Sequence, residues 1–162
     1  MKKINILSEE ILSKIISEEI INNYYSIIKE LIENSIDANS NNISIYIENF
    51  INNFIIIDDG NGMSYKDLIL CYLKGSTSKI KKINDLNNIK TIGFRGNALY
   101  SISNISILEI ISKTKKNKIG NRLIIEYGKI KEIIPYYCNK GSCFKVSNIF
   151  LNNKYINKNN FF

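Results

Sequence analysis

Glu30 and Asn34 stand one helical turn apart, with Asp37 a further turn along, so on a helix the three project from one narrow stripe. A carboxylate there can activate water, and an amide oxygen beside it is a hard donor suited to magnesium. The same spacing also describes an ordinary solvated helix face. A second group is Asp58 with Gly60 and Gly62. An acid at a strand's end can accept a hydrogen bond from a ligand's amino group while glycines let a flat ring approach; an ordinary strand-ending turn uses the same residues. The third group is Ser76, Thr77, Ser78 and Lys79, then Gly93, Phe94, Arg95 and Gly96 just before a helix start. Backbone N–H groups at a glycine-rich helix N-terminus bind phosphate oxygens, and the competing reading is a lysine-rich surface loop. Neither G-x-x-x-x-G-K-[ST] nor G-x-G-x-x-G occurs, so this is not one of the common phosphate loops.

These groups need elements to hold them. Leu7, Ile11, Leu12, Ile15, Ile16 and Ile20 recur at helical spacing with Ser8 as N-cap. A second helix is predicted over residues 24–38, with Ile28, Leu31, Ile32 and Ser35 on one face and Glu30, Asn34 and Asp37 on another. Strands are predicted at 43–48 and 54–57, the latter ending at Asp58. Ser64 caps a short helix to about Tyr72, and 74–96 reads as a long polar loop. A helix starts at 97–103, and strands follow at 106–112, 122–127, 130–134 and 143–150. The only proline, Pro135, suits a strand end. The expected architecture is an α/β two-layer sandwich of the α+β kind, with a mixed, mostly antiparallel sheet and helices on one face.

Composition removes whole reaction classes. The 162 residues contain no histidine, which excludes His-based triads, His general bases and His metal ligands. Three cysteines, Cys71, Cys138 and Cys143, form no paired framework and no zinc spacing, so reduced thiols are expected. Ile, Asn and Lys make up half of the chain, a skew that fits an AT-rich gene and strips single Asn and Lys residues of meaning. Net charge is +7, which permits weak electrostatic attraction to DNA. No run approaches the roughly 20 apolar residues of a membrane span, and no signal-peptide core follows Met1, so a cytoplasmic protein without membrane contact is expected.

Taken in order, helix acid and amide, strand-ending D-x-G-x-G and phosphate loop resemble the Bergerat-type (GHKL) ATPase fold shared by gyrase, the ninety-kilodalton heat-shock chaperone, histidine kinases and MutL. The wording is most similar to the MutL family of DNA mismatch repair. Residues 29–38 match its KELxENSxDA helix, 58–63 its DDGxGM turn, 77–80 its TSKI, and Gly93-Phe94-Arg95-Gly96 with Ala98-Leu99 its GFRGEAL. The resemblance implies ATP and Mg2+ as ligands and a nucleotide-driven conformational switch. It implies Glu30 as the general base, Asn34 as the magnesium ligand, Asp58 as acceptor of the adenine amino hydrogen, Gly62 as the glycine beneath the base and Gly60 as a further nucleotide-binding residue. It implies Thr77, Ser78, Lys79 and the backbone of residues 93–96 as a phosphate lid. Ser142, after Gly141, stands where the family has a hydroxyl that helps to hold adenine.

Further implications concern assembly. The resemblance predicts mismatch repair partners of the MutS type, weak contact with DNA and ATP-dependent pairing of two copies. Residues 1–151 are expected to form the ATPase domain, with 152–162 the poorly ordered start of a following region; no transducer or C-terminal dimerisation domain is encoded in these residues. Because the family draws a phosphate-contacting lysine from its transducer, hydrolysis is expected to be slow, leaving open a non-hydrolysing ATP-binding module or a basic interaction fragment. The chain also departs from the family: residues 15–24 lack its Gly and Pro, and Asn97 replaces the Glu of GFRGEAL.

Overall fold

The computed structural model describes residues 7–8, 11–12, 14–15, 24–48, 53–76 and 97–149. Within them the chain runs α1 (Tyr24–Asp37), β1 (Ile43–Glu48), β2 (Asn53–Asp58), α2 (Tyr65–Leu70), α3 (Ala98–Ile105), β3 (Ile107–Lys113), β4 (Gly120–Glu126), β5 (Lys129–Tyr136) and β6 (Gly141–Ser147). The six strands form one sheet in the order β1-β2-β6-β3-β4-β5, and every neighbouring pair is antiparallel. The expected sheet is therefore present, with the mixed alternative resolved to antiparallel among the described strands. The expected helix after Ser8 begins as read: the Ser8 hydroxyl accepts from the Ile11 N–H at 3.4 Å, although Ile11, Leu12 and Ile15 are exposed.

Period-2 patterning decides which face is buried. Phe54 and Ile56 on β2, Leu108 and Ile110 on β3, Leu123 and Ile125 on β4, and Phe144 and Val146 on β6 point to one side. Ile27 and Leu31 of α1, Leu68 of α2, and Ile102 and Ile105 of α3 cover them to make a single core. Cutting back one of these side chains leaves a hole that rigid strands fill poorly, at a cost of roughly 2–5 kcal/mol for Ile or Leu to Ala.

Two boundaries differ informatively from the sequence reading. Pro135 lies inside β5 rather than after it, in register with Asn121 of β4. An edge strand admits proline because only one side of it needs donors. Strand β6 begins at Gly141, not at residue 143, because Gly141 and Ser142 still pair with Lys113 and Ser112 of β3, a matter of register that hydropathy does not report. The three cysteines are free thiols and partly buried; burial pushes the Cys71 thiol up to about 12.

Candidate functional site

The inner face of the sheet is apolar until its last row. There the alternation that buries Phe54 and Ile56 brings Asp58 inward, and the same step brings Ser112 in after Ile110 and Ser142 in before Phe144. Register sets these three polar groups side by side, Asp58 opposite Ser142 and Ser142 opposite Ser112. Helix α1 repeats the pattern: its buried stripe runs Ile27, Leu31 and then Ser35. A polar pocket floor thus arises where one strand row and one helix turn both exchange hydrocarbon for oxygen.

Asp58 is the centre of that floor and only 5% exposed. Its Oδ1 accepts from the Gly60 N–H at 2.9 Å and from the Ser142 N–H at 3.2 Å, and its Oδ2 accepts from the Ser35 hydroxyl at 3.1 Å. Ser35 also faces the Leu31 carbonyl at 3.0 Å, so its one proton is shared between two acceptors. A carboxylate offers about four lone-pair sites, and the three donors leave acceptor capacity for an incoming N–H. Burial lifts the Asp58 carboxyl above its ordinary range, and the hydrogen bonds from Gly60, Ser35 and Ser142 pull it back only in part.

The hydroxyl pair beside it has a defined polarity. Ser112 Oγ accepts from the Met63 N–H at 2.8 Å, lies 2.9 Å from the Gly141 carbonyl, and is 3.0 Å from Ser142 Oγ. If Ser112 gives its proton to the Gly141 carbonyl, Ser142 must donate to Ser112. The lone pairs of Ser142 are then the ones left to accept. Asp58 and Ser142 together are suited to an exocyclic amino group and oppose a carbonyl oxygen in the same place.

Two glycines make this packing possible. A Cβ on Gly62 would stand 2.1 Å from the Lys113 carbonyl oxygen, at a φ of +66°; one on Gly141 would stand 2.0 Å from the Asp58 carbonyl oxygen. The close approach that Gly62 permits within the chain is therefore to Lys113 at the end of β3, across β6 from β2.

Glu30 and Asn34 lie on the same helix as Ser35 and are half-buried, as is Asp37. Ser35 ties that helix directly to Asp58. The structure thus brings Glu30, Asn34, Asp58, Gly60, Gly62 and Ser142 to one helix and one sheet end. Thr77, Ser78, Lys79, Gly93, Phe94, Arg95 and Gly96 lie outside the described residues. Ser112 and the linking role of Ser35 escaped the sequence reading; the available signal was a polar residue at an inward strand position, which acquires meaning only once the register is known.

As to a metal, the described residues contain no cluster of three or more His, Cys, Asp or Glu side chains that could hold one. Asn34 with Glu30 is a sparse set of oxygen donors. It fits magnesium, which keeps waters and borrows phosphate oxygens, better than an ion needing a full protein cage. A cavity of about 170 Å³ shares Asp58, Gly141 and Ser142 but is otherwise lined by Ile57, Ile111, Cys143 and residues 138–140. Ile57, Ile111 and Cys143 alternate with the inward residues, so this cavity opens behind the polar floor, away from α1.

Comparison with known proteins bears on the same residues. The pattern of the histidine kinase-, DNA gyrase B- and HSP90-like ATPase family matches residues 22–139. Over 153 residues the chain is 42% identical to the DNA mismatch repair protein MutL of Clostridium botulinum (strain Eklund 17B / Type B), covering 94% of this chain and 23% of that protein. It is also 42% identical to MutL of Thermodesulfovibrio yellowstonii, covering 94% of this chain and 28% of that one. The chain thus spans about a quarter of the length of these relatives. Among solved structures, the N-terminal domain of a DNA repair protein superposes with a TM-score of 0.71 at 30% identity, over 88% of this chain and 40% of that one. The Aquifex aeolicus MutL ATPase domain complexed with ADP shares the fold, with a TM-score of 0.62 at 23% identity over 82% of this chain and 45% of that one.

Proposed function

Because the chain belongs to the histidine kinase-, DNA gyrase B- and HSP90-like ATPase family, as an ATPase domain of MutL type, we propose that it binds and hydrolyses ATP with magnesium and works as a nucleotide-driven switch in DNA mismatch repair. The observation that carries the proposal is the buried Asp58, held by Ser35, Gly60 and Ser142 with acceptor capacity to spare, Ser35 belonging to the helix that also carries Glu30 and Asn34. Asp58 and Ser142 select adenine over guanine by accepting from its amino group. The Asn34 amide oxygen is the protein's ligand for magnesium, which neutralises charge on the phosphates when bound. Glu30 orients the attacking water and takes its proton as that water's oxygen bonds to the γ-phosphorus and ADP leaves. Thr77, Ser78, Lys79 and the backbone of residues 93–96 contact the phosphates in this reading, on the strength of their sequence.

The proposal extends to partners: mismatch repair proteins of the MutS type, a second copy of the chain in the ATP state, and DNA, in a cytoplasmic setting. None of the described helices is long and apolar enough to cross a membrane. The DNA contact has support from charge placement. Lys29 pairs with Glu33, Lys131 with Glu126, and Arg122 with Glu109 and Glu132. By contrast Lys113, Lys115, Lys116, Lys118 and Lys140, at the sheet end that begins β4 and β6, have no ion-pair partner among the described residues. Each phosphate they neutralise steepens the fall of affinity with salt by about 0.9 in log–log slope. Replacing Lys115, Lys116 and Lys118 with glutamine is expected to flatten that slope by roughly 2–3, as measured by duplex titration across salt concentrations.

The adenosine nucleotide itself is tested by thermal unfolding. A slowly hydrolysed ATP analogue at about 100 times its dissociation constant stabilises the native state by about 2.7 kcal/mol. The expected result is an upward shift that depends on magnesium and is larger for the ATP analogue than for its guanine counterpart. An unshifted transition contradicts the proposal.

A further inference from the structure

Asp59 follows the adenine-facing aspartate, yet its carboxylate turns to the other side of the turn. Oδ1 accepts from the Asn41 N–H at 2.7 Å and the Asn42 N–H at 3.0 Å, and Oδ2 accepts from the Asn42 side-chain amide at 2.8 Å. The backbone adds two bonds in the same place: the Asp59 N–H donates to the Asn42 carbonyl at 3.3 Å and the Asn61 N–H to the Ala38 carbonyl at 2.8 Å. These donors hold Asp59 firmly ionised, with its carboxyl lowered to about 2, the Asn42 backbone N–H first among the causes.

The segment so gripped is the end of helix α1. The Asn39 N–H reaches back to the Ile36 carbonyl at 2.9 Å and the Ser40 N–H to the Ser35 carbonyl at 3.2 Å, with Asn39 left-handed at a φ of 58°. This pair of bonds is a Schellman stop, so the last helical turn and residues 38–40 form one stiff unit, which Asn41 and Asn42 follow directly in the chain. That turn carries Ser35 and begins at Asn34. The Asp59 carboxylate therefore joins the helix bearing the metal ligand to the turn bearing the base acceptor, and touches neither ligand group itself.

We propose that Asp59 is a positioning residue that fixes the offset between the Asn34 arm and the Asp58 arm, and so sets magnesium-nucleotide affinity without contacting nucleotide. The inference rests on the nucleotide reading given above. Core contacts of Ile27 and Leu31 keep α1 on the sheet without Asp59. The Ser35–Asp58 bond and the Asn61–Ala38 backbone bond also survive its loss; what is released is the finer offset of the helix's last turn that the grip on Asn41 and Asn42 adds.

The test uses the full chain, with Asp59→Ala and Asp59→Asn beside wild type, and two probes: a slowly hydrolysed ATP analogue with magnesium, and adenosine, which needs no metal ligand. Asp59→Ala is expected to lose about tenfold in affinity for the magnesium nucleotide, as removal of supporting groups around a metal site commonly does, while adenosine binds as it does to wild type. Asp59→Asn recovers most of the loss, since an amide oxygen still accepts from both backbone N–H groups. Equal weakening of both probes, or a lower melting temperature with unchanged affinities, overturns the positioning role and leaves a turn that serves stability alone. Wild type that binds neither probe overturns the nucleotide reading first and this inference with it.

Discussion

Asn34→Ala is expected to abolish binding of magnesium-ATP, while Glu30→Ala keeps binding and stops turnover. The difference follows from what each oxygen does. Asn34 offers a neutral amide oxygen, useful to a hard cation in the ground state. The described residues hold no group of three or more His, Cys, Asp or Glu side chains that could take its place. Glu30, as the proposed base, would be needed only when the attacking water gives up its proton, and general bases of this kind contribute about 10²–10⁴-fold in rate. Equilibrium binding of an ATP analogue, paired with steady-state phosphate release, separates the two. Tight magnesium-dependent binding by Asn34→Ala sinks the metal assignment. Phosphate release by Glu30→Ala at the wild-type rate sinks the base, as does wild type that binds ATP without releasing phosphate.

Asp58→Asn is expected to melt higher than wild type at neutral pH and yet bind adenine nucleotides about 10–100-fold more weakly, the scale of a hydrogen bond to a charged group. The Asp58 carboxyl titrates above its ordinary value of 3.8 because it is buried. A carboxyl raised on folding stabilises the native state when protonated, a gain fully present below 3.8 and lost as pH rises through the folded value. At neutral pH the buried charge is therefore held at a cost that an amide escapes. The amide also suits its neighbours: its oxygen accepts from the Gly60 and Ser142 N–H groups, and its NH₂ donates to Ser35, whose proton then goes wholly to the Leu31 carbonyl. The same NH₂ now faces the ligand's amino group, donor against donor. Melting curves from pH 7 downward check the sign, since the gap between variant and wild type should narrow as Asp58 protonates. A variant that melts lower at neutral pH, or that binds as wild type does, contradicts this account of the site.

How far the residues alone carry depends on how local the signal is. Strand β1 is legible to the residue, Ile43–Glu48, because its alternation is bounded by asparagines on both sides. Glu30, Asn34, Asp58 and Gly62 are legible through spacing within one helix and one turn. Ser112 is not: its meaning comes from Met63, Gly141 and Ser142, partners 29 to 49 residues away that only the sheet register assembles. Asp59 reads as half of an acidic pair at a turn, and its opposite orientation is a matter of which amides the end of α1 presents. The bias towards Ile, Asn and Lys adds to this, since it makes the telling Asn34 look like any of its many neighbours.

The most direct measurement is diffraction from crystals grown with a slowly hydrolysed ATP analogue and magnesium. Purine density should lie against Asp58 and Ser142, with its amino nitrogen within hydrogen-bond distance of the Asp58 carboxylate and a metal bound to the Asn34 amide oxygen. Nucleotide seated elsewhere, for instance in the cavity behind the sheet beside Cys138 and Cys143, would contradict it.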